Sequence, residues 1–226
     1  DEYTWEIVSV DTAGNQKETD GEFEIDLVST VSAGLHSSSD TGTVGDNTTN
    51  QKNPILSGVA EPSSAVEIRV SGIFGGSNVT KVYKATADAN GNWISTIADS
   101  MSDGKYTYSV TSVDKAGNTS APASGEITID RTPPTTTGNI KTDSGSSSSD
   151  TITNGVADGD KKGHLDFAGA TQGGATKVVL MIGGRTYNIK PDVDGNWEFV
   201  VPDKLPDNEY TYTIYAEDSA GNRSPN

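Results

Sequence analysis

The amino-acid sequence predicts an all-β chain built from tandem sandwich domains, and three observations carry that prediction. The phrase D-x-A-G-N occurs as Asp11-Thr-Ala-Gly-Asn15, Asp114-Lys-Ala-Gly-Asn118 and Asp218-Ser-Ala-Gly-Asn222, at spacings of 103 and 104 residues. Each copy follows an aromatic, β-favouring run: Tyr3-Thr-Trp-Glu-Ile, Tyr106-Thr-Tyr-Ser-Val and Tyr210-Thr-Tyr-Thr-Ile. Gly-Asn-Trp recurs at 91–93 and 195–197, and Ile-Asp at 25–26 and 129–130, each pair 104 residues apart. A shared period near 100 residues is too long for one turn of a solenoid and fits one small autonomous domain per repeat. The expected division is a leading piece at 1–26 holding the last strands of a preceding repeat, a full repeat at 27–130, and a repeat at 131–226 that lacks its last strand.

Within the first full repeat, short Val/Ile/Thr/Tyr runs between Gly, Asn, Asp, Ser and Pro predict strands at 55–60, 65–74, 80–87, 93–97, 106–113 and 126–129. The second repeat offers 165–169, 177–182, 185–189, 197–201 and 210–217. Before the second D-x-A-G-N, Tyr106, Tyr108, Val110 and Ser112 point one way and Thr107, Ser109 and Thr111 the other. Tyr210, Tyr212, Ile214 and Ala216 repeat the inward order. Tyr106 and Tyr210 each follow a turn, which predicts a tyrosine corner with the hydroxyl tied to nearby backbone. Trp93 and Trp197 open strands after a tight Gly-Asn turn and read as core residues. The stretch Arg131-Thr-Pro-Pro-Thr-Thr-Thr137 is a stiffened junction, and Ser/Thr/Asp-rich segments follow each junction.

Bulk composition narrows the function. Net charge is −16 and pI about 4.3, which excludes nucleic acid and anionic membrane surfaces as partners. Asp outnumbers Glu by 21 to 11, an excess of short acidic side chains in loops, where calcium ligands sit and where a merely solvated acidic surface is the plainer alternative. Leu, Ile, Val and Phe supply only 42 of 226 residues, so the core is thin for so charged a chain. Cysteine is absent, which leaves the core, with or without metals, to hold each domain. No apolar run is long enough for membrane insertion. The two histidines, His36 and His164, belong to no metalloprotease motif, and neither a G-x-S-x-G elbow nor a Gly-rich phosphate loop occurs, so an enzyme is not expected.

The candidate chemistry is cation binding at repeat junctions. Calcium takes six to eight oxygens from carboxylates, carbonyls and water. Asp114 and Asn118, Asp130, and Asp143 or Asp150 are expected to converge on one ion, with Asp11, Asn15, Asp26, Asp40 and Asp46 as the matching set one repeat earlier. The competing reading is a plain turn in which Gly and Asn supply positive φ. A second candidate is the D-x-[DN]-G-N spacing at Asp88, Asn90 and at Asp192, Asp194, which resembles the opening of an EF-hand loop without its distal Glu.

Asp103-Gly-Lys-Tyr-Thr107, Asp114-Lys-Ala-Gly-Asn-Thr-Ser120, Ile129-Asp-Arg-Thr-Pro-Pro134, Ser39-Asp-Thr-Gly42 and the Gly-Asn-Trp pair together resemble the bacterial Ig-like repeats of giant non-fimbrial, type I secreted adhesins, of the SiiE type. The resemblance covers nearly the whole chain. It implies Ig-like β-sandwiches arranged as an elongated rod at the bacterial cell surface, stiffened by calcium at the junctions and serving cell adhesion and virulence. By resemblance the junction role falls on Asp11, Asp26, Asp40, Asp46, Asp114, Asp130 and Asp150. The implied partners are neighbouring repeats of the same chain and calcium, with a host cell-surface ligand bound elsewhere in the parent protein, the chain itself being a monomer. The second repeat departs from the pattern, with Ser-Asp-Thr-Ile at 149–152 in place of Ser-Asp-Thr-Gly, and the first junction lacks the Thr-Pro pair. The alternatives are a module that itself binds host glycan or protein, and a spacer in an extracellular enzyme.

Overall fold

The computed structural model describes residues 2–142, 153, 164–206 and 208–225, and every element among them is a strand. The chain opens with a hairpin of β1 (Glu2–Val10) and β2 (Gln16–Glu24), paired antiparallel from Glu2↔Glu24 to Val10↔Gln16 around the first D-x-A-G-N turn. Nearly all of its residues are exposed, including Trp5 and Ile7.

The first full repeat supplies β3 (Gly34–Leu35), β4 (Thr48–Thr49), β5 (Ile55–Val59), β6 (Ala65–Phe74), β7 (Ser77–Thr86), β8 (Asn92–Thr96), β9 (Gly104–Val113) and β10 (Ala123–Ile129). They form a five-stranded sheet in the order β4-β10-β9-β6-β7 and a three-stranded sheet in the order β3-β5-β8. The second repeat supplies β11 (Thr135–Ile140), β12 (Asp166–Gln172), β13 (Ala175–Ile182), β14 (Arg185–Ile189), β15 (Asn196–Val200) and β16 (Tyr212–Asp218), in sheets ordered β11-β12-β15 and β14-β13-β16. Each repeat is therefore a β-sandwich.

Period-two patterning builds both cores. On β6 the inward residues are Val66, Ile68 and Val70; on β9 they are Tyr106, Tyr108, Val110 and Ser112, all buried, as the alternation predicts. Trp93 and Trp197 are each 2% exposed and fill the two separate cores. The Trp93 indole donates to Ser32 O at 3.1 Å. Both tyrosine corners form: Tyr106 donates to Ser102 O at 2.9 Å and to Ile73 O, and Tyr210 donates to Pro206 O at 3.0 Å.

Several expectations need correction. β16 begins at Tyr212, so Tyr210 lies ahead of the strand, and Tyr212 is 36% exposed where its counterpart Tyr108 is buried. In the first repeat β9 is flanked by β10 and β6, whereas β16 pairs only with β13 among the described residues. Strand β11 was unforeseen, because Thr135-Thr-Thr-Gly-Asn-Ile140 directly follows two prolines and reads as linker. β3 and β4, at two residues each, are too short to leave a periodic signature.

Because the two cores are separate, Trp93→Ala should cost the first repeat about 3–5 kcal/mol, the usual range for emptying a buried aromatic site. Urea unfolding followed by NMR should show the first repeat's midpoint falling while the Trp197 indole signal keeps its own transition.

Candidate metal centre

The D-x-A-G-N phrase folds as a self-contained turn. In the hairpin, Asp11 Oδ1 accepts from Ala13 N at 2.8 Å and Asn15 N at 2.9 Å, while Asn15 Nδ2 donates to Asp11 Oδ2 at 2.8 Å. Asp114 and Asn118 repeat the clasp at 2.8 and 2.9 Å, as do Asp218 and Asn222 at 2.9 and 2.9 Å. The glycine of each turn has positive φ, +86° at Gly14, +93° at Gly117 and +83° at Gly221, which explains why no other residue stands there. At Asp11 and Asp114 the same bonds hold the carboxylate pKa down. For Asp11 the Asn15 amide leads in holding the pKa below the ordinary value. For Asp114, loss of solvent pushes the pKa up, but the Asn118 side chain and the turn's backbone N–H groups together outweigh it and the net shift is downward.

The second and third turns also reach across a junction. Asn118 Nδ2 donates to Asp26 O at 2.9 Å, and Asn222 Nδ2 donates to Asp130 O at 2.9 Å. At the first junction this brings three carboxylates together. Ligand oxygens of Asp26, Glu61 and Asp114 all lie within 4.8 Å of one another. Asp26 also accepts from Val28 N at 3.2 Å and Glu61 from Thr30 N at 3.2 Å. Among the described residues, no Lys or Arg forms an ion pair with any of the three. Clustered carboxylates with free lone pairs and no ion-paired Lys or Arg are the donor set a hard divalent ion takes, and Asp26, Glu61 and Asp114 could hold one.

Sequence reasoning missed Glu61, because only junction aspartates were followed. Register identifies its counterpart: Gly58 pairs with Trp93 and Gly169 with Trp197, so three residues further on Glu61 corresponds to Gln172. The second junction thus offers Asp130, Gln172 and Asp218, one carboxylate fewer.

The expected groupings are corrected. Asp114 and Asp130 do not meet within a repeat, because antiparallel pairing sets Ile129 against Gly104, at the far end of β9 from Asp114. Ten residues at about 3.3 Å each separate them by about 30 Å. Asp11 and Asp26 lie at opposite ends of the leading hairpin for the same reason. Asp40 and Asp46 sit at the Asp130 end of the first repeat, where Asp130 N donates to Thr49 O and Thr128 N to Asn47 O. Asp46 accepts from Thr48 N, and Asp40 Oδ2 from Gly45 N, leaving Asp40 Oδ1 buried without a partner among the described residues. Asp143 and Asp150 lie outside the described residues. Asp88 Oδ1 accepts from Asn90 N and Asn92 N, and Asp192 Oδ1 from Asp194 N and Asn196 N, so both D-x-[DN]-G-N carboxylates close their own turns. Hydrogen bonds led by that from Asn92 N hold Asp88 below the ordinary carboxylate range.

A carboxylate with a depressed folded pKa lends stability that is fully present above its unfolded value and is lost as pH falls through the folded one. The gap in Tm between the parent and Asp114→Asn should therefore be open at pH 7 and close as pH drops below about 4. Calorimetry across that range checks it.

The family model of the bacterial Ig-like domain matches residues 27–131 and again 132–226. No curated protein sequence matches. Among solved structures, the chain is similar to a tetra-tandem repeat from the extending region of a large adhesion protein, with 20% identity, TM-score 0.41, and coverage of 99% of this chain and 54% of that one. It therefore spans only about half of that structure. It is also similar to a 1.5-MDa bacterial ice-binding adhesin, with 20% identity, TM-score 0.35, and coverage of 98% and 70%. The fibronectin(III)-like modules of Clostridium thermocellum CbhA align at 13% identity and TM-score 0.50 over 85% of this chain and 89% of theirs, a likeness of fold. Two sandwiches joined through a recurring Asp-Asn clasp, each matched end to end by the same model, make the chain a tandem member of the bacterial Ig-like domain family.

Proposed function

We propose that the chain is a structural shaft segment of a large bacterial surface adhesin, without catalytic activity, whose junctions are stiffened by calcium so that an adhesive tip is held away from the cell. Tandem family repeats support the shaft reading, and the cluster of Asp26, Glu61 and Asp114 supports calcium, being the observation that carries the metal. Asp26 belongs to the segment between hairpin and first repeat, whereas Glu61 and Asp114 belong to the repeat itself, so an ion held by all three would tie one unit to the next. Its charge would offset the repulsion among carboxylates that have no cationic partner. Within the two repeats both tryptophans, Trp93 and Trp197, are buried, and the exposed Trp5 belongs to the leading hairpin, which favours a shaft over a binding module for the repeats themselves. The partners in this reading are adjoining repeats and calcium, and the host ligand is engaged elsewhere in the parent protein.

Extracellular calcium modules work with dissociation constants of about 0.1–1 mM. Calorimetric titration should find a site in that range that Glu61→Gln weakens and Asp114→Asn nearly abolishes, with small-angle scattering showing a stiffer particle when calcium is bound. Gln172→Glu, which restores the missing carboxylate, should add a second binding event. Identical heats from the parent and Glu61→Gln would remove the metal from this reading and leave a calcium-independent shaft.

A further inference from the structure

Two copies of one turn differ in what covers them. Asp114–Asn118 and Asp218–Asn222 close with the same hydrogen bonds, yet Ala220 is 0% exposed while Ala116 and Gly117 are exposed. The cover over the second turn is the Thr41-Gly42-Thr43 loop of the first repeat. Thr41 Oγ1 donates to Ala220 O at 2.6 Å, and Thr43 N donates to Ser219 O at 2.8 Å. Between them Gly42 lies flat on the turn. A Cβ on Gly42 would stand 2.2 Å from Ser219 O and 2.4 Å from Gly221 N, and its φ of +73° disfavours any other residue. From the opposite side, a Cβ on Gly221 would stand 3.0 Å from Gly42 N.

The loop is built before it docks. Asn50 N donates to Thr41 Oγ1 at 2.9 Å, Asp40 and Asp46 each accept a backbone N–H within the loop, and Thr48–Thr49 is anchored in parallel to β10. A preorganised loop loses little entropy on closing against a preorganised turn. The contact joins the Thr41 hydroxyl and the backbone of Gly42 and Thr43 to the backbone of the turn, so it requires close approach and tolerates little shift.

We infer that Thr41-Gly42-Thr43 and Ser219-Ala220-Gly221 form a protein-only latch that sets the orientation of the first repeat on the second without a metal ion, with Gly42 as its positioning residue. The latch deepens the shaft reading and rests on it only for biological purpose; the hydrogen bonds that define it run between protein atoms. It gives Asp40 and Asp46 the role of shaping the loop. Stiffness then has two separable sources, carboxylates at the first junction and a backbone latch at the second.

The chain has no cysteine, so Val79→Cys and Val193→Cys, at exposed positions of the two repeats, can carry spin labels. Pulsed dipolar spectroscopy in EDTA should give one narrow distance distribution. Gly42→Ala and Ala220→Leu should each broaden it, with and without calcium, while the melting transitions of both repeats stay near the parent's. Ala116→Leu, the same change on the uncovered turn, and Gly184→Ala, at a left-handed glycine between β13 and β14 with no atom near its Cβ, should leave the distribution narrow. A narrow distribution in both latch variants would overturn the proposal. So would a parent that is broad in EDTA and narrows only with calcium, a result that would leave the calcium reading standing. A parent narrow in EDTA and indifferent to calcium would support the latch and count against calcium at this joint.

Discussion

Everything about the joints depends on the asparagine that closes each D-x-A-G-N turn. Its side-chain amide has two donors, and at Asn118 and Asn222 one goes to the turn's own aspartate while the other crosses to the carbonyl of Asp26 or Asp130. A purely local turn is thereby locked to the strand that enters the repeat. In the leading hairpin, Asn15 makes the first bond and, among the described residues, no second, and the turn still forms. The motif is therefore stable by itself, and the crossing bond is what places the junction aspartate beside it. Once Asp26 is held there, Glu61 completes a patch of three carboxylates.

The fold was readable because its determinants are local and periodic. Alternation on β6 and β9, the Gly-Asn turns before Trp93 and Trp197, and the tyrosine corners each need only a short stretch of sequence to declare themselves. The candidate site was less readable, since it depends on which strand ends share a pole of the sandwich. Asp114 and Asp130 are close in sequence, yet antiparallel pairing puts β9 between them. Asp26 and Asp114 are far apart in sequence and meet in space. Glu61 had no motif to mark it, and only the register against Trp93 shows its correspondence with Gln172. β11 was hidden by the prolines ahead of it, which stiffen the junction and then permit an edge strand.

Charge explains why so thin a core still yields ordered sandwiches. With a net charge of −16, the carboxylates outnumber what Lys and Arg can neutralise. Part of the excess is placed where backbone N–H groups receive it, at Asp11, Asp88, Asp114, Asp192 and Asp218. Each of those acids replaces water with a fixed donor, so turns that must be tight are also where negative charge is best tolerated. Ion pairs such as Lys141–Glu198 and Lys81–Asp99 lie on exposed surface and add little by comparison.

A loop of one repeat resting on a turn of the next joins unlike surfaces. Such a contact is heterologous, so it has a head and a tail. Placed end to end in the opposite sense, two of these domains would oppose turn to turn or loop to loop, and nothing would interlock. The polarity of the polypeptide, from amino to carboxyl end, is in this way copied into the polarity of the joint.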